Sequence, residues 1–248
     1  MGYRLRASEG TGSMARRNCF LLSLMAAVFL AILAPWLPHI PGRPAGVLVN
    51  AGRKPALKPG EIDVEKSRVY IRVGKKRLGH EHAVEGKIKS GSIDLNAAKE
   101  VGDIEFDMTS FLADTDEARK YVELKGTTTQ STREQVTETM LGERVLDVEQ
   151  FPTATFKIKS RGVIDAPGDE RRLKLSGEFT LHGKTHPLTI TVEQTKEDER
   201  WRLKGEFDIL QSDFGITPYK AALGTVAVAD KLKIWGDIWI AGDKAGQE

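Results

Sequence analysis

Cysteine is all but absent: Cys19 is the only one in 248 residues. An internal disulfide, a cysteine-cluster metal site and a C-x-x-C-H haem attachment are therefore excluded. Neither sign of charge dominates. The formal net charge is +2, so the chain as a whole gives no reason to expect a nucleic-acid partner. There is no G-x-S-x-G, no glycine-rich phosphate loop and no readable Ser/His/Asp arrangement. These absences lead us to expect a non-enzyme without cofactor or resident metal. There is also no repeat of fixed period. At 40% hydrophobic and 29% charged residues, the composition excludes disorder, collagen and a multi-span membrane protein.

The charge that is present is unevenly placed. Residues 1–46 hold five arginines (Arg4, Arg6, Arg16, Arg17, Arg43) and a single acid, Glu9, which leaves residues 47–248 slightly acidic. Directly after Arg16 and Arg17 comes CFLLSLMAAVFLAILA, residues 19–34, without a charge. Extended to Leu37 the run approaches the roughly 20 apolar residues that cross a bilayer. A basic flank before an apolar run marks an export signal peptide or a signal anchor. The arginine side should stay cytoplasmic and the body should be exported, to the periplasm or otherwise outside the cytoplasm. If the run is not cleaved, the body is tethered to the inner membrane. Six of the ten prolines fall between residues 35 and 59, and proline with glycine makes a linker. We therefore divide the chain into a targeting segment (1–46), a Pro/Gly-rich linker (47–60) and a folded domain (61–248).

Alternation with period two dominates the folded domain and predicts strands. Val69, Ile71 and Val73 form one such set; Ile104, Phe106 and Met108 another; Phe156 and Ile158 a third. Leu173, Leu175, Phe179 and Leu181 follow, then Leu188, Ile190 and Val192, then Leu203, Phe207 and Ile209 around Gly205. The longest set is Leu232, Ile234, Gly236, Ile238 and Ile240. Short loops between these runs favour antiparallel neighbours. Gly86, Gly177, Gly205 and Gly236 inside strands predict the bends or bulges that a closing sheet needs. Residues 113–143 lack alternation and read as one or two inserted helices. Thr132 with Gln135 has capping-box spacing, and Asp114-Thr115-Asp116-Glu117 reads as a helix N-terminus.

Candidate chemistry is sparse. In His80-Glu81-His82 the two imidazoles would share a strand face, but a metal needs a third ligand and none is adjacent. His182 and His186 bracket a tight turn that reads as a hairpin loop. Trp235 and Trp239 share one face of the last strand and could stack on a ligand, although packing under a helix is the commoner fate.

Four segments in order resemble the YceI family of bacterial exported proteins. Leu78-Gly79-His80 with Val84-Glu85-Gly86 is similar to its histidine-bearing turn. LGERVLDVEQFPTATFKIKS (141–160) is similar to its helix end, Phe-Pro turn and following strand. GEFTLHGKTHPLTI (177–190) resembles its hairpin, and QSDFGITPYKAALGTVAVADKLKIWGDI (211–238) its S-D-F-G-I segment and closing strand. Two departures lie near the expected mouth: Glu81-His82 where many members carry serine, and His186 where lysine is frequent.

The resemblance implies an all-β, antiparallel, lipocalin-like β-barrel of about eight strands with a helical insertion. It also implies a lumen that binds or carries a polyisoprenoid or other long-chain lipid. The alternatives are a barrel that binds a metal or small polar ligand, and a filled-core module for protein partners. An eight-stranded barrel holds its own side chains or one small ligand, so a long tail requires small lumenal residues or help from the insertion. We expect Phe106, Met108, Phe156, Phe179, Phe207 and Phe214 to face the ligand. Met140 and Leu141 should touch it from the 113–143 segment, which is expected to cover one mouth.

Overall fold

In the computed structural model, residues 56–164 and 171–242 are described. The expected targeting segment and most of the expected linker lie outside them. Among the described residues no helix is long and apolar enough to cross a membrane.

Eight long strands alternate in direction: β1 (Arg68–Lys75), β2 (His82–Ile93), β3 (Lys99–Ala113), β4 (Thr153–Ile164), β5 (Arg171–Leu181), β6 (Lys184–Glu197), β7 (Arg200–Leu210) and β9 (Val226–Ala241). The two-residue β8 (Lys220–Ala221) pairs only with β9. Each long strand pairs antiparallel with the next, and β1 pairs with β9, so the sheet closes into a barrel with no free long edge. Closure is the complete remedy for exposed strand edges.

The alternating apolar sets are the inward faces of these strands. At the base, Ile62, Val101, Ile158, Leu173 and Ile240 pack with at most 2% exposure. The segment before β1 seals that end: Gly60 N–H donates to the Ala241 carbonyl (2.8 Å) and Ile93 N–H to the Gly60 carbonyl (2.8 Å). Two of the strand glycines mark the bends expected of them. A register shift between Glu85 and Lys87 brackets Gly86, where a Cβ would lie 2.4 Å from the Phe111 ring. Another, between Ile158 and Ser160, lies opposite Gly177, where a Cβ would lie 1.9 Å from the Lys157 carbonyl oxygen.

The insertion holds two helices with different fates. In α1 (Asp116–Tyr121) Thr115 is the N-cap and accepts from Ala118 N–H (3.0 Å), with Asp116 and Glu117 in the first turn. The helix packs on the outside of the barrel over Tyr70 and Ala83, through Ala118 and Val122. Tyr121 stacks on Tyr70 at 3.8 Å, and the Tyr70 hydroxyl donates to Glu117 (3.0 Å). Trp235 packs in the same external cluster; Trp239 lies on the outer wall between Arg202 and Lys66. Neither indole faces the lumen. In α2 (Gln130–Leu141) the N-cap is Thr129, not Thr132, and Thr132 N–H donates to it (3.3 Å). The run Thr127-Thr128-Thr129 offers several caps, and spacing alone does not choose among them. The half-buried residues Arg133, Val136, Thr137, Met140 and Leu141 make one face at i, i+3, i+4, i+7 spacing. That face turns toward the barrel end from which β2 starts and β3 finishes, and Ala113 N–H donates to Thr137 Oγ1 (3.0 Å).

Candidate functional site: a one-ended apolar lumen

The barrel is hollow above its sealed base, with a cavity of about 390 Å³. Every long strand contributes to its wall, for example Ile71 of β1, Val84 of β2, Phe106 of β3, Phe156 of β4, Phe179 of β5, Ile190 of β6, Phe207 of β7 and Ile234 of β9. At about 30 Å³ per heavy atom the space equals roughly a dozen carbon atoms. A filled core is thus not what the packing produces.

Two glycines face inward, and one of them leaves room. Gly205 of β7 is registered directly opposite Gly236 of β9, and both line the lumen. At Gly205 a Cβ would meet Val192 Cγ1 at 2.7 Å and the Thr191 carbonyl oxygen at 2.8 Å, so the neighbouring strand has moved into the space. At Gly236 a Cβ would meet nothing closer than Ile238 Cγ1 at 3.8 Å. That side of the pair remains open.

The aromatic lining is organised around Phe179. Its ring meets Phe106 edge-on at 6.1 Å, Phe207 at 6.2 Å and Phe214 at 5.6 Å. Among the residues expected to face a ligand, Phe106, Met108, Met140, Phe156, Phe179 and Phe207 line the cavity. Phe214 does not. It is buried in the same core, against Phe179 and the His186 ring (5.0 Å), on the short 3-10 turn Gln211–Phe214 that follows β7. Leu141 does not line the cavity either, and packs from α2 against the shared core. The helical insertion meets the mouth through α2 alone, with Gln135, Val136, Thr139 and Met140, followed by Val145 and Leu146.

Polar groups gather at that mouth. His82, Gln135, Thr139, Gln211 and Tyr219 all line the cavity, and all belong to the end of the barrel where α2 lies. Selecting large apolar residues on alternating strands missed these five and the glycine pair. The parity of Ile234, Gly236 and Ile238 was a usable signal for the glycines. No sequence signal brings Gln135 and Tyr219 together.

His82 is held in place by an ionic cluster. Its Nδ1 donates to Asp114 Oδ2 (2.7 Å), while Asp114 Oδ1 accepts from Arg119 (2.8 Å) and from Ala83 N–H (3.0 Å). Asp114 is only 1% exposed. Burial alone would push its carboxyl up, but His82, the Ala83 N–H and Arg119 outweigh burial and hold it below the usual carboxylate range. Arg119 also donates to the Gly126 (2.9 Å) and Lys125 (2.6 Å) carbonyls, tying the loop after α1 to the same cluster. The expectation that His80 and His82 share a strand face fails, because β2 begins at His82. His80 is exposed and Glu81 is paired with Arg72 (2.9 Å). Among the described residues there is no cluster of three or more metal-ligating side chains. His182 and Gly183, with φ of 50° and 71°, form the tight β5–β6 hairpin.

A closed antiparallel barrel with a sealed base, an apolar lumen and a polar mouth is the lipocalin-like architecture of binding proteins. Within that class the chain belongs to the YceI-like domain family, whose model matches residues 61–238. Among solved structures it is similar to a polyisoprenoid binding domain from Saccharophagus degradans. That match has 12% identity, a TM-score of 0.52, and covers 75% of this chain and 99% of that one. It is also similar to Burkholderia cenocepacia BcnA, at 19% identity and a TM-score of 0.49, over 73% of this chain and 99% of that one. Comparison with curated proteins returned no match.

Proposed function

We propose that this protein binds one long-chain amphiphile, of isoprenoid or similar lipid class, and carries or holds it outside the cytoplasm without chemical change. The observation that carries this reading is the lumen: about 390 Å³ lined by apolar side chains from all eight long strands, with its polar groups confined to one mouth. Such a site takes a tail inward and leaves a polar head beside Gln135, Thr139, Gln211 and Tyr219. The similarity to a polyisoprenoid binding domain supports the same ligand class.

The volume limits how the ligand sits. About a dozen carbons enter, and at about 0.8 kcal/mol per buried CH₂ they contribute on the order of 10 kcal/mol before the cost of association. A longer chain keeps its remainder at or beyond the mouth. Export, and a membrane tether if residues 19–37 remain attached, are supported by Arg16-Arg17 and the uncharged run that follows.

Lipid retention tests the binding reading. Purified full-length protein is extracted with organic solvent and the extract analysed by mass spectrometry. A stoichiometric lipid is expected from the native chain and none from folded Phe106→Asp or Phe207→Asp variants. If both variants fold and still carry lipid, the lumen is not the binding site. For export, a reporter fused after Glu248 should be active only outside the cytoplasm; activity confined to the cytoplasm contradicts it.

A further inference from the structure

We propose that the rim of the barrel beside the lumen mouth, formed by the β1–β2 loop and the β8–β9 turn, is a docking surface for an anionic lipid bilayer. The two segments make one surface. Lys76 N–H donates to the Ala227 carbonyl (2.9 Å), Leu78 pairs with Val226, and Val226 Cγ1 would lie 3.1 Å from a Cβ at Gly79. Three of the large apolar residues exposed among the described residues, Leu78, Leu223 and Val226, sit on it. Leu78 is 68% exposed and Leu223 fully so. Leu223 also has φ of 55°, a conformation that costs a bulky side chain energy. Held fully exposed in the turn before β9, Leu223 is placed to enter an apolar phase.

The charge says which partner. Residues 75–80 and 217–229 contain Lys75, Lys76, Arg77 and Lys220 and no acid, and all four cations are exposed. The acids that directly follow these stretches are already engaged: Glu81 pairs with Arg72 (2.9 Å), and Asp230 accepts from the Ser212 hydroxyl (2.6 Å) and N–H (2.9 Å). Apolar tips ringed by cations are what enters the interface of an anionic membrane. A protein partner would need complementary acids and shape, and nothing on this surface selects one. The location fits as well. Tyr219 and Val228, which flank the surface, line the lumen, so a lipid could pass from bilayer to lumen beside this rim without crossing open water. The surface stands independently of the lumen's ligand: a lumen that bound nothing would leave it intact.

Probes placed on the full chain test this. In a Cys19→Ser background, an environment-sensitive fluorophore is attached at Leu223→Cys, and in a separate protein at Val163→Cys. Val163 is 62% exposed near the opposite, basal end. On vesicles of phosphatidylcholine with phosphatidylglycerol, the 223 probe should shift to the blue and lose iodide quenching, while the 163 probe stays in water. Each cation near an anionic surface strengthens attachment roughly fivefold. Lys75→Gln/Lys76→Gln/Arg77→Gln/Lys220→Gln, added salt, and phosphatidylcholine alone should therefore each weaken the shielding. Equal quenching of both probes on anionic vesicles overturns the proposal. So does shielding that is the same on phosphatidylcholine alone, or that appears without lipid and grows with protein concentration, which would mean a second copy.

Discussion

Gly236 and Gly205 face each other across one rung of the barrel, yet they should respond oppositely to an added side chain. A Cβ at Gly236 enters open lumen, while one at Gly205 strikes the Val192 side chain and the Thr191 carbonyl. Gly205→Ala is therefore expected to destabilise the fold by about 1–3 kcal/mol, the usual cost of overpacking, read as a lower denaturant midpoint. Gly236→Leu should leave that midpoint nearly unchanged. Its four added carbons fill about 120 Å³ at about 30 Å³ each, close to a third of the cavity, so lipid retention should drop. A Gly236→Leu protein that keeps full lipid loading would show that the tail lies elsewhere.

Asp114 belongs to the same scale. Asp114→Asn leaves Arg119 without its buried counter-charge and should cost about 3 kcal/mol. Because the folded carboxyl titrates below its unfolded value, its contribution is fully present above the unfolded value of about 4. It is lost as pH falls further through the folded value. Thermal unfolding of the native protein should weaken below about pH 4 more steeply than that of Asp114→Asn. Parallel acid profiles would show that this carboxylate does not anchor the site.

At the scale of elements, alternation made every long strand but β2 readable, and the insertion only partly so. Every alternating apolar row, from Val69-Ile71-Val73 to Ile234-Gly236-Ile238, lies on the inner face of the barrel, because a sheet with one wet face imposes period two on its chain. Parity left the choice between the two faces open; closure resolves it. The helices carry no comparable constraint. In α1, Tyr121 finds Tyr70 on the outer wall, a pairing between residues about 50 apart in the chain that no local pattern announces. Phe214 is expected in the lumen from the S-D-F-G-I segment, which carries no alternation to fix its face; it lies on the 3-10 turn after β7. The two helices should therefore differ in dynamics. None of the α2 side chains is fully buried, whereas α1 buries Ala118 and Arg119, so α2 should open locally at lower cost. In hydrogen exchange, lipid loading should increase protection across 130–141 and leave 116–121 unchanged. Equal protection of α2 with and without lipid would remove it as a lid.

For the whole molecule, the barrel has two unlike ends. The base is closed by fully buried aliphatic residues and by backbone bonds from Gly60; the other end carries α2, the polar ring and the exposed basic rim. That polarity implies one direction of entry and one orientation of the ligand. Its most direct test is crystallographic: the protein is loaded with dodecanol brominated at the carbon farthest from the hydroxyl, and the bromine is located by its anomalous signal. We expect the bromine deep in the lumen, between Phe156 and Ile238, and the hydroxyl among Gln135, Gln211 and Tyr219. A bromine at the mouth, or on the outer wall beside α1, would contradict a tail-inward amphiphile and with it the reading of this barrel as a lipid-binding protein.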